Sequence, residues 1–146
     1  MSIPNKILEI INIQNDGKLS QENTSILLEA DTDISDNLIK SLLRSGGKAF
    51  LMFGKYSEMI HDKIDALCEL EPELYQNIIT MVFDKEDLSD LETVSYVFMT
   101  FEIDIPITRY LVVLGDEYIK NTNFINSLKT NFKNISHSQN KYDTLY

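Results

Sequence analysis

Glu58, Asp62, Asp65 and Glu69 recur at steps of three and four residues, which sets four carboxylates along one side of a helix. At 100° per residue they lie about 140–180° away from Ile60, opposite the apolar stripe Phe53, Tyr56, Ile60, Ile64 and Leu67. Glu71 and Glu73 continue the series beyond that helix, and Asp84, Glu86, Asp87, Asp90 and Glu92 form a second acidic run. Carboxylates grouped with few interleaved bases attract a cationic partner and steer its encounter. Tyr75, just after Glu71 and Glu73, and Tyr96, four residues beyond Glu92, would supply the apolar anchors of such a surface.

Other chemistry finds less support. A hydrolase needs a nucleophile with its base, a convergent acid–base pair, or a metal. The two histidines are His61, on the flank of the long helix beside Asp62, and His137, in a polar tail. No HExxH, GxSxG, Walker A or GxGxxG pattern is present. DTDISD (31–36) and DKEDLSD (84–90) have the density of calcium loops, but neither has glycine at position six, and Leu42 and Ser95 stand where glutamate belongs. Cys68 sits at the edge of the apolar stripe with no basic neighbour to activate it, which suits a buried structural thiol. No catalytic residue, metal ligand or cofactor is therefore assigned.

The charge is unevenly distributed. The 146 residues carry 13 Lys+Arg and 23 Asp+Glu, formally −10. Residues 1–49 hold seven acids and five bases, residues 50–106 thirteen acids and three bases, and residues 107–146 three acids and five bases. The central segment alone thus equals the whole net charge. Such a balance disfavours direct binding to nucleic acid, which needs a basic surface, and docking to an anionic membrane. The solubilising role of a charged face is the competing explanation.

The elements that must carry these side chains read as helices. Ile3, Ile7, Ile10 and Ile11 share a helical face, and Ile26, Leu27 and Leu28 follow a cap at Ser20. Ser35 caps a helix carrying Leu38, Ile39, Leu42 and Leu43 and stopped by Gly46 and Gly47. A long helix is expected over residues 48–70, with Gly54 marking either its true start or a close packing contact. Pro72 opens another through Leu74, Tyr75, Ile78, Ile79, Val82 and Phe83. The next runs through Val94, Phe98 and Phe101, another is opened by Pro106 and carries Ile107, Tyr110, Leu111, Leu114 and Tyr118, and the last uses Phe124, Ile125, Leu128, Phe132 and Ile135.

The expected fold is mainly α: one domain over residues 1–135, a bundle or short helical-hairpin array of about six to seven helices, then a polar, frayed tail over 136–146. The alternative is α+β with a hairpin in 94–114, where Phe101, Ile103 and Ile105 alternate with acids. A lone cysteine and an N-terminus without a signal-peptide core lead to a cytoplasmic placement.

The expected function is a non-catalytic acidic binding protein that neutralises a basic protein partner. The class foreseen is an immunity protein, or antitoxin, occluding the active or substrate-binding site of a bacterial toxin nuclease. A phage-type mimic of nucleic acid that inhibits a defence nuclease, a scaffolding helical protein and a small enzyme are the alternatives.

Overall fold

Unbroken apolar runs at residues 26–28, 49–53 and 110–114 suit strands covered on both faces, because successive side chains point to opposite sides. The structure, a computed structural model that describes residues 6–13, 22–32, 34–83 and 90–145, has them in that role. The strands are β1 (Ile7–Asn12), β2 (Thr24–Glu29), β3 (Gly47–Phe53), β4 (Ile79–Val82) and β5 (Arg109–Leu114). The helices are α1 (Asp36–Arg44), α2 (Ser57–Leu70), α3 (Leu91–Thr100), α4 (Asp116–Ile119) and α5 (Thr122–Leu145).

All strand pairs are parallel, in the order β1-β5-β2-β3-β4. Leu28 of the central strand lies beside Met52 on one side and Val113 on the other, and every residue of β2, β5 and residues 49–53 is buried. The sheet divides the core in two by residue parity. Ile26, Leu28, Phe50, Met52, Leu111 and Val113 face α1 and α2, packing on Leu38, Leu42, Ile60 and Ile64. Leu27, Leu51, Phe53, Val112 and Leu114 face α3 and α5, packing on Val94, Phe98, Phe124 and Leu128.

This α/β architecture overturns the expectation of a mainly α, all-α bundle. The segments holding Ile7 to Ile11 and Ile26 to Leu28 are strands, and the stretch after Pro72 becomes a turn followed by β4. The helix expected over 48–70 is a strand and a helix joined at Gly54, whose φ of 118° lies in the left-handed region. The helix expected from Pro106 through Tyr118 and the hairpin alternative for 94–114 both fail: α3 runs to Thr100, and one strand, β5, pairs in parallel with β1 and β2. An apolar run of four to six residues matches the i, i+3, i+4 rule and a doubly buried strand equally well, so short runs misled the assignment.

Several elements do match. Ser35 caps α1, its hydroxyl accepting from Leu38 N, and Gly46 ends the helix region with φ 95°. The helix expected through Val94 and Phe98 is α3, with Asp90 as its cap, accepting from the backbone of Glu92 and Thr93. Across residues 136–145 the backbone continues α5. The cap expected at Ser20 lies outside the described residues. Among the described residues no helix is long and apolar enough to cross a membrane.

Candidate functional site

In an open parallel sheet, ligands favour the crevice beyond the carboxyl ends of the strands, where the order of connection reverses. Here β2 leads outward to β3 and β4, and the chain then returns to place β5 on the other side of β2. The switch point therefore lies between the ends of β2 and β5. A concavity of about 410 Å³ occupies it, lined by Asn12, Glu29, Asp31, Thr32, Asp116 and Tyr118 among others.

Its groups are tightly committed to one another. Glu29, the last residue of β2, is 4% exposed. Its Oε1 accepts from Gly115 N at 2.8 Å and its Oε2 from Asp31 N at 3.2 Å. Burial raises the Glu29 pKa above the ordinary carboxylate value, and the two N–H donors offset part of that rise. A Cβ at Gly115 would lie 2.7 Å from Glu29 Oε1, so a side chain there would displace the carboxylate from this bond. Asp31 accepts from Lys55 N at 3.2 Å and from the Tyr118 hydroxyl at 2.7 Å. Burial and the bond to Asp31 push the Tyr118 pKa far above its ordinary value. Asn12 closes the far wall, donating to Asp116 Oδ1 at 2.6 Å.

The arrangement is a polar clasp that ties the ends of β1, β2 and β5 to the turn after β3. Among the described residues no group of three or more His, Cys, Asp or Glu side chains is arranged to hold a metal ion. Acids and a glycine closing apolar runs are the only marks of this constellation in the sequence, because its members meet only through the strand order.

The side chains singled out from the sequence fall on different parts of the molecule. Glu58, Asp62, Asp65 and Glu69 are all exposed on α2 while Ile60 and Ile64 are buried, as the helical spacing requires. His61 Nδ1 lies 3.5 Å from both Asp62 and Asp65. Lys63 is directed to its own chain, 3.4 Å from Asp36 and donating to Ile34 O at 3.3 Å. Past the end of α2, Glu71 and Glu73 are exposed together with Leu70 and Leu74, at 77% and 61%. Tyr75, expected as an anchor there, is buried in the core beneath α2.

Asp90, Glu92 and Tyr96 lie on the opposite layer. They line a groove of about 640 Å³ between α3 and α5, facing Asn123, Asn126 and Thr130. The two acidic regions are thus separated by the sheet instead of forming one surface. Asp84, Glu86 and Asp87 lie outside the described residues. Comparison of the chain with protein-family models, curated proteins and solved structures finds no match.

Proposed function

We propose that this chain is a non-catalytic acidic binding protein that docks a basic protein partner through the outer face of α2 and the turn that follows it. The observation that carries this reading is the exposed segment Glu69-Leu70-Glu71-Pro72-Glu73-Leu74. It sets two exposed leucines four residues apart, flanked by three glutamates. Apolar anchors ringed by charge are the usual anatomy of a specific interface: the anchors supply affinity, and the ring supplies orientation and on-rate. Glu58, Asp62 and Asp65 extend the acidic field along α2, and the nearby Lys63 is turned toward Asp36. Asp90, Glu92 and Tyr96 are not part of this docking surface, because they belong to the other layer.

A partner with a cationic substrate channel fits this chemistry best, so the reading extends to inhibition by occlusion, as an immunity protein would inhibit a toxin nuclease in the cytoplasm. The test compares the wild type with the triple reversal of Glu69, Glu71 and Glu73 to lysine, each immobilised and exposed to host lysate. The captured basic protein is then assayed for nucleic-acid cleavage. The expected result is tight capture and blocked cleavage by the wild type alone, with capture weakened by about 0.5 M salt. Capture that is equal for both proteins and indifferent to salt overturns the proposal. Leu70→Ala and Leu74→Ala should each weaken binding by about 1–2 kcal/mol, chiefly by faster dissociation.

A further inference from the structure

We propose that the groove between α3 and α5 is a second, independent site that takes a neutral oligosaccharide, with Tyr96 as its stacking platform and Asn123, Asn126 and Thr130 as its hydrogen-bonding rail. The groove's volume of about 640 Å³ suits a small-molecule ligand. Tyr96 is 60% exposed on its wall, an aromatic face held open on a rigid helix.

Some of the groove's polar groups are committed within the chain, others face it open, and the exposed Glu92 adds a carboxylate acceptor to the wall. Asp90 is committed to capping α3 and to the Thr93 hydroxyl, and the Asn131 amide donates to Ser95 Oγ at 2.8 Å. The side chains of Asn123, Asn126 and Thr130 line the groove and hold no hydrogen bond to another described residue. Amides and hydroxyls both donate and accept, which matches a ligand whose own groups do the same. Along α5 their steps are about 4.5 and 6 Å, whereas an extended peptide repeats on one face every ~6.7 Å.

Other ligand classes fit less well. No Lys or Arg lines the groove among the described residues, so it lacks the cation that phosphates or a nucleic-acid strand require. Its walls carry no aliphatic side chain to receive an apolar ligand. A sugar ring offers both a hydroxylated rim for the rail and a C–H face for the tyrosine, an amphipathic match to an amphipathic side chain.

The experiment titrates the full chain with maltotriose, cellotriose and triacetylchitotriose, following backbone amide shifts by NMR. Saturable shifts confined to residues 90–96 and 122–131, from at least one of the three, are expected. Tyr96→Ala and Asn126→Ala, at exposed positions, should each weaken that binding about tenfold or more, while Tyr96→Phe keeps it. Glu58→Gln on the other layer should leave it unchanged, and so should about 0.5 M salt, which separates this site from electrostatic docking. Three outcomes overturn the proposal: no confined shift with any trisaccharide at about 10 mM, equal affinity in Tyr96→Ala, or binding of a glycine–alanine peptide in place of all three sugars.

Discussion

Glu29 shows how much of this molecule rests on single groups whose partners are far away in sequence. Its carboxylate joins the end of β2 to Gly115, 86 positions on, and to the backbone of Asp31. Burial raises its pKa above the ordinary 4.5. The folded protein therefore holds this proton more tightly than the unfolded chain, and the neutral form is the one that folding favours. Stability from this group is present at low pH and is lost as pH rises from 4.5 through the raised value. Glu29→Gln removes the titration, so the difference in unfolding free energy between variant and wild type should move in the variant's favour across that window. Urea denaturation at a series of pH values measures it, and a pH-independent difference would contradict the assignment. None of this was legible from the sequence. The exposure of Glu58, Asp62, Asp65 and Glu69 was, because helical spacing alone fixes which side faces away from Ile60 and Ile64. Tyr75 failed the same test: outside a helix, its neighbours in sequence do not reveal which way it points.

At the scale of elements, α1 was the best-marked segment, since Ser35 and Gly46 are caps whose chemistry is local. The segment over residues 48–70 was the most instructive failure. Ile60, Ile64 and Leu67 keep helical spacing, and Phe53 and Tyr56 extend it backward by coincidence into β3 and the turn. Gly54 is where the coincidence breaks. It turns the chain at φ 118°, and a Cβ there would sit 2.6 Å from both Ala30 C and Asp31 N. The surrounding backbone is close-knit: Ala30 N donates to Phe53 O at 2.6 Å and Tyr56 N to Ala30 O at 2.7 Å. Neither the dihedral nor the approach tolerates a side chain, so Gly54→Ala should destabilise the fold by about 1–3 kcal/mol. A thermal unfolding midpoint close to that of the wild type would rule out this close approach of β2 and the turn after β3.

For the whole molecule, the strand order decides what the acidic middle of the chain means. Residues 50–106 hold thirteen acids, but α2 and α3 lie on opposite faces of the sheet, so the charge is divided between two surfaces that no linear count could separate. On α2 the division leaves like charges as neighbours: Glu58 with Asp62, Asp62 with Asp65, and Asp65 with Glu69. Each such pair destabilises a helix by about 0.2–0.5 kcal/mol, an electrostatic burden that salt relieves. Asp62 belongs to two of the pairs, and its side chain is 81% exposed. A lysine in its place would convert both repulsions into attractions, with the favourable order of Glu58 before the base. Asp62→Lys should accordingly raise stability by about 0.8–2 kcal/mol and reduce the gain in stability that the wild type shows between low salt and about 0.2 M. If the acidic face exists to meet a basic partner, the same substitution should slow association with that partner while dissociation changes little, as for a rim charge. Denaturation midpoints at two salt concentrations and association rates from surface capture separate the two effects. A face kept acidic only for solubility would gain stability and leave the association rate unchanged. A variant with lowered stability would instead mean that Asp62 holds α2 in place through a contact such as the one to His61.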